Sequence, residues 1–354
     1  MKISIQKNIL EKILINSQSF TEKRDLTQIT SHVLIQAKDG TLTIKATDYE
    51  IGLQTVITNN ENTEEGEVTA NSKKIADIVK NLRDEIINLY TEEQLLVIQQ
   101  GNAEFKIPTF IAEEFPKFPL TKTSEQVQLS NIALSEQIKM SLPAADNNNP
   151  KHELNAILLD LRNTEYLVVS TDTKRLSLII CKEQSGITQK AIISKKSALE
   201  IQKILNNESK IFINKTNLII ENTNTTFFTK LMSGEYPRYE AIIPNELKYK
   251  IELPKQEILD NLHMIASLSN IVTISIHSNG IQLTTGQDAQ SQAKIDLEIN
   301  TNIASFLLHA NIKYFIDFLN VTKSNTFFME LEEENTPFIL ISENHKTVIM
   351  PVII

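Results

Sequence analysis

Only one of the 354 residues is cysteine, so no intrachain disulfide can form and no cysteine-based metal site is available. Cys181 ends the apolar run Leu178-Ile179-Ile180-Cys181, where a small buried thiol is expected, and a reducing cytoplasmic setting fits. Apolar runs are short, and none approaches the ~20 residues that span a bilayer. The opening Met1-Lys2-Ile3-Ser4-Ile5 alternates like a strand and lacks the apolar core of an export signal. Glycine is scarce, eight in all. No Gly-x-Gly-x-x-Gly, Gly-Lys-Ser/Thr phosphate loop or Gly-x-Ser-x-Gly occurs. His32, His152, His263, His277, His309 and His345 never fall three to five residues apart, the spacing of a local metal pair. Catalysis, a metal and a cofactor are therefore not expected. Positive charge is also short, with a net charge of −9. That argues against nucleic acid only if the charge is evenly spread.

What the chain has is repetition. Ile3-Ser4-Ile5, Val127-Gln128-Leu129 and Ile251-Glu252-Leu253 each alternate as a half-buried strand and stand 124 residues apart. Each leads into an amphipathic segment: Ile9, Leu10, Ile13 and Leu14; Ile132, Leu134, Ile138 and Leu142; Ile258, Leu259, Leu262 and Ile265. A second helix follows in each copy, over 72–83, 194–206 and 311–324, with Asn or Ser placed to cap it. Two β-rich segments around a turn come next: 95–98 with 105–107, 218–220 with 227–228, and 338–341 with 348–350. Glu114-Phe115-Pro116-Lys117-Phe118 and Glu235-Tyr236-Pro237-Arg238-Tyr239 close the first two copies. The order predicts an α+β fold of three tandem two-helix, antiparallel-sheet domains, 1–121, 122–246 and 247–354, with both helices of a copy on one sheet face.

Charge divides unevenly across this plan. The six helical segments sum to +6, which leaves −15 for the rest. Basic helices within an acidic shell suit a protein that holds a polyanion on its helical side.

The chain resembles the bacterial sliding clamp, the beta subunit of DNA polymerase III. The resemblance covers essentially the whole chain. It is carried by Arg24, Thr47-Asp48-Tyr49-Glu50, Leu154-Asn155, Thr171-Asp172-Thr173-Lys174-Arg175-Leu176, Tyr236-Pro237-Arg238-Tyr239 and Val348-Ile349-Met350-Pro351. It implies a non-catalytic processivity factor, a head-to-tail homodimer whose six domains form a ring with helices inside. Twelve helices at ~9 Å spacing make a circle ~35 Å across, leaving ~25 Å for a duplex about 20 Å wide. Binding of double-stranded DNA would then be loose and sequence-independent.

By the same resemblance, Arg24, Lys73, Lys80, Lys151, Lys195 and Lys196 face the DNA. A pocket of Leu154, Thr171, Arg175, Leu176, Pro237, Ile242, Val348, Met350, Pro351 and Val352 takes short linear motifs of the replicative polymerase, clamp loader, repair polymerases, ligase or mismatch-repair proteins. Phe105 and Leu268, the latter on the third domain's first helix, meet across the dimer boundary. The chain departs from the familiar pattern at Thr173-Lys174, where Gly-His is usual, at Ala241, often basic or polar, and in the apolar ending Met350-Pro351-Val352-Ile353-Ile354. These departures predict a peptide preference that relies less on a charged rim. The competing reading is a three-module protein-interaction scaffold that never touches nucleic acid.

Overall fold

The computed structural model describes residues 1–58, 62–244, 247–285, 291–301, 303 and 305–353. Among these, six α-helices all fall within the spans read from the sequence: α1 Lys7–Ser17, α2 Ser72–Asn81, α3 Asn131–Ser141, α4 Lys195–Ile204, α5 Lys255–Ala266 and α6 Ile312–Val321. Each opens where a strand hands over, and side-chain caps fix several starts. Asn71 Oδ1 accepts from Lys74 N at 3.1 Å, Ser194 Oγ from Ser197 N at 3.1 Å and Asn311 Oδ1 from Lys313 N at 3.0 Å. The helices pack in consecutive pairs, α1 on α2, α3 on α4 and α5 on α6. Leu10, Ile13 and Leu14 of α1 and Ile75 and Val79 of α2 are buried at three- and four-residue spacing. Ile9, Ile132 and Leu199, expected on these buried faces, are exposed. Ile132 and Leu199 stand nearly opposite the buried stripes of α3 and α4, and Ile9 stands beside that of α1.

In the first third of the chain the strands are β1 Lys2–Gln6, β2 His32–Lys38, β3 Thr41–Thr47, β4 Ile51–Thr58, β5 Asn62–Glu64, β6 Gly66–Asn71, β7 Ile86–Glu92, β8 Leu95–Gln100 and β9 Ala103–Pro108. The middle third adds β10 Glu125–Val127, β11 Ala156–Leu161, β12 Tyr166–Thr171, β13 Arg175–Cys181, β14 Gln189–Ser194, β15 Lys210–Ile213, β16 Asn217–Glu221 and β17 Thr225–Lys230. The last third holds β18 Tyr249–Pro254, β19 Ile271–His277, β20 Gly280–Thr285, β21 Lys294–Leu297, β22 Ser305–Asn311, β23 Thr326–Leu331, β24 Phe338–Ser342 and β25 His345–Ile349. The strand expected at 127–129 ends at Val127, because Gln128 N donates instead to Ser185 O at 3.0 Å.

Two compact units result. The first comprises Met1–Val127 with Asn206–Lys230, the second Gln128–Leu205 with Leu231–Ile354. The first unit holds sheets ordered β5-β1-β7-β8-β9 and β10-β15-β16-β17-β4-β3-β2-β6, the second β14-β11-β12-β13-β25-β24-β23-β18 and β21-β20-β19-β22. Pairing is antiparallel throughout the described ladders. Each copy's strands thus divide between two sheets, where the sequence order suggested one. Both eight-stranded sheets are made the same way, four strands of one copy joined to four of the next. β17 pairs with β4, placing Phe228 opposite Gly52, and β25 pairs with β13, placing Val348 opposite Leu176. The expected domain boundary near 246 falls on residues outside the described ones.

Candidate functional site

In the second unit, the two faces of the eight-stranded sheet differ. Strand alternation turns Arg175, Ser177 and Ile179 of β13 to one side and Leu176, Leu178 and Ile180 to the other. Leu176 and Leu178 join Val348, Ile339, Leu158, Val169 and Tyr239 in one apolar cluster. Around them Ile180, Met232, Tyr236, Ile243 and Ile341 are only partly buried, so the cluster reaches solvent. The segment that follows β17 returns along this face: Met232 N donates to Ile192 O at 2.9 Å. Pro237 and Ile242 stand exposed on either side of the buried Tyr239. Beyond β25 the chain is fixed by Met350 N donating to Lys174 O at 2.9 Å and Val352 N to His309 O at 2.8 Å. Met350 is left exposed, and Pro351 and Val352 half-buried. An apolar floor with exposed apolar shoulders is what a short hydrophobic peptide requires.

Three residues of the expected pocket are buried or engaged locally. Leu154 is buried in the turn before β11, where its N–H bonds Lys151 O at 3.0 Å. The Thr171 hydroxyl is engaged locally, donating to Arg175 O at 2.6 Å and accepting from Thr173 N at 3.1 Å. Arg175 is held most firmly. Its guanidinium lies on the side opposite Leu176, bonded to Asp172 at 3.0 Å, to Asp317 of α6 at 2.7 Å and to the Pro143 carbonyl, and stacked on Tyr314 at 4.5 Å. At 6% exposure it braces the sheet against α6.

The sequence reading missed a polar group beside the same face. Asp160, 2% exposed, interrupts the apolar strand Ile157-Leu158-Leu159-Asp160-Leu161. Its Oδ2 accepts from Arg162 Nε at 3.1 Å and Nη2 at 2.7 Å, and from the Tyr239 hydroxyl at 2.8 Å. Arg162 also reaches Glu240 at 2.9 Å. Burial, then the bond to Asp160, holds the Tyr239 hydroxyl protonated far above the usual phenol range. A carboxylate in an otherwise apolar strand is the signal that could have found it.

Of the expected basic contacts, Arg24, Lys73, Lys80, Lys151 and Lys196 are exposed. Among the described residues Lys73 and Lys80 form no ion pair. Lys195 is turned inward: its ammonium donates to the Ala145 carbonyl at 2.6 Å, and burial lowers its pKa, with Lys313 and Arg175 adding to the shift. Lys7, Lys203 and Lys323 are matched by Glu11, Glu200 and Glu136 at 2.5–2.8 Å. Arg83 and Lys323 lie just past their helices. Phe105 is exposed on β9, an edge strand of the five-stranded sheet. Leu268, also exposed, lies just beyond α5 and not on it; its N–H bonds Ile265 O at 2.9 Å.

Three family models match in succession: the N-terminal domain of the DNA polymerase III beta subunit over residues 1–119, the central domain over 128–238 and the C-terminal domain over 240–353. The beta sliding clamp of Helicobacter pylori (strain ATCC 700392 / 26695) is 33% identical over 352 residues, covering 96% of this chain and 94% of the relative. A crystal structure of the H. pylori beta clamp bound to a DNA ligase peptide has a TM-score of 0.92 at 32% identity, with both chains covered in full. The Pseudomonas aeruginosa DNA polymerase III subunit beta shares the fold, with a TM-score of 0.93 at 23% identity and full coverage of both chains. Triplicated sequence, shared sheet junctions and these matches converge: the chain belongs to the bacterial beta sliding clamp family, the beta subunit of DNA polymerase III.

Proposed function

We propose that two copies close head to tail around duplex DNA, and that the Leu176–Val348 face docks short apolar motifs of DNA-processing enzymes. The family is non-catalytic, and a processivity factor holds its polymerase on DNA without chemistry of its own. The proposed domains are 1–121, 122–246 and 247–354. The proposed location is the cytoplasm, supported by the single buried thiol of Cys181. Peptide docking rests on the apolar face described above and on the ligase peptide carried by the H. pylori clamp.

Ring closure rests on one observation, the repeated junction. The outgoing strand of one copy, β17 or β25, pairs with β4 or β13 of the copy before it. The corresponding outgoing strand of the first copy, β9, and incoming strand of the third, β21, are both sheet edges. Exposed edges are templates for another strand, and a second copy supplies each with its mate. The internal ladders supply the proposed register. Thr55-Ile44-Ile35-Val68, Ile179-Val168-Leu159-Ala191 and Ile295-Leu283-Ile274-Leu308 are equivalent rows, each ending four residues before a helix starts. Thr225 faces Thr55 and His345 faces Ile179, so their counterpart Ala103 faces Ile295 of a second copy, and Glu104 faces its Lys294. Opposite charges directly across a ladder are favourable.

The test is retention on a nicked circular plasmid after loading. A topological link persists on the circle and is lost when the DNA is linearised. Equal loss from both forms sinks the ring, and no association with either form leaves the protein-interaction scaffold.

A further inference from the structure

The junction that carries the docking face in the second unit occurs again in the first, with different side chains. The cross-strand pair Val348–Leu176 corresponds to Phe228–Gly52. The returning segment ends in Tyr239 in one and in Phe118 in the other, five residues into matching Glu-aromatic-Pro-basic-aromatic runs. Gly52 has no side chain, and a Cβ built on it would lie 2.9 Å from Phe228 Cζ and 3.0 Å from Phe118 Cζ. The two rings therefore fill the space that the Leu176 side chain fills in the second unit. They pack edge-on, centroids 4.7 Å apart at 70°, and Phe228 is buried.

One hydroxyl separates the closing aromatics Phe118 and Tyr239, and its surroundings differ. In the second unit Tyr239 is tied to Asp160 and Arg162 at 2.8 and 2.7 Å. The ladder rows place Gln36 and Lys38 at those positions in the first unit, and the Gln36 amide is bonded to Glu67 at 2.5 Å. With no hydroxyl and no carboxylate to hold it aside, the Phe118 ring settles over Gly52 against Phe228.

We infer that the chain contains one apolar docking site built twice, plugged in the first unit by Phe228 and Phe118 and kept open in the second by the Asp160–Arg162–Tyr239 latch. The occupant is the same in chemistry at both: a pair of large apolar side chains, the chain's own in the first unit and a peptide's in the second. This rests on the docking reading above. Asp160, Arg162 and Tyr239 act as positioning residues, setting the distance between the returning segment and the floor.

The experiment is calorimetric titration of the full chain with the ligase peptide seen on the H. pylori clamp. The unmodified protein is expected to take one peptide per chain; no binding at all refutes the docking reading itself. Gly52→Leu with Phe228→Val, which writes the second unit's floor into the first, should raise the stoichiometry to two. Phe118→Ala, which leaves every strand untouched, should give a weaker second site and covers the case where the double variant does not fold. One peptide per chain in a folded variant overturns the plug. Tyr239→Phe should weaken the single site about tenfold with the stoichiometry held and the melting midpoint only modestly lowered, and unchanged affinity overturns the latch.

Discussion

Thr173 holds φ at 75°, in the left-handed region, and Tyr49 repeats the conformation at 74° in the equivalent turn of the first copy. A β-branched side chain is strained there and glycine is not. Thr173→Gly should raise stability by about 1 kcal/mol, seen as a higher denaturant midpoint at unchanged slope. His345 is a second residue-scale case. It is buried, with Nε2 shared between Ser177 at 2.9 Å and Thr347 at 3.2 Å, and burial lowers its pKa to about 4. The folded state therefore prefers the neutral ring, and the unfolded state binds the proton first as pH falls. Its stabilising effect is complete above pH 6.5 and is lost as pH drops toward 4, about 3 kcal/mol in all. Unfolding measured at pH 7, 5.5 and 4.5 should show the decline, and His345→Gln should lessen it, leaving the share of His32, whose pKa burial also lowers to about 4. The alternation that sets Leu176 and Arg175 on opposite faces follows from β13 being a strand, which the sequence reading did not identify. What the sequence could not show was Asp317, 142 residues away, waiting on α6 for the guanidinium.

Helices were the most legible elements, because a 3.6-residue period and a capping side chain are written locally. Hairpins were equally plain around their turns. The partition of strands into sheets was not, since β17–β4 and β25–β13 join segments far apart in sequence and an alternating pattern does not name its neighbour. The helices also carry a testable opposition. Lys73 occupies the first turn of α2, where a cation is disfavoured by the helix dipole. Lys73→Glu should stabilise the chain slightly, by about 0.5 kcal/mol, while shortening its residence on nicked circular DNA at low salt. The second effect should fade as salt rises, because it is screened. A salt-independent loss would mean that Lys73 acts on the fold and not on phosphate.

At the scale of the molecule, the proposed assembly turns on the edges β9 and β21. Phe105→Asp or Leu268→Asp should give monomers by sedimentation. Glu104→Lys and Lys294→Glu should each loosen the dimer, and the two together should restore it; failure of the exchange rules out the proposed register. The internal junctions have a further consequence. β25, beside the docking face, lies between β13 and β24 and is hydrogen-bonded along both flanks. A load applied to a docked partner pulls on a strand in the middle of its sheet. It cannot unzip one bond at a time, as an outer strand would, and must shear two ladders at once. A tether for a moving motor is best fastened at such a place.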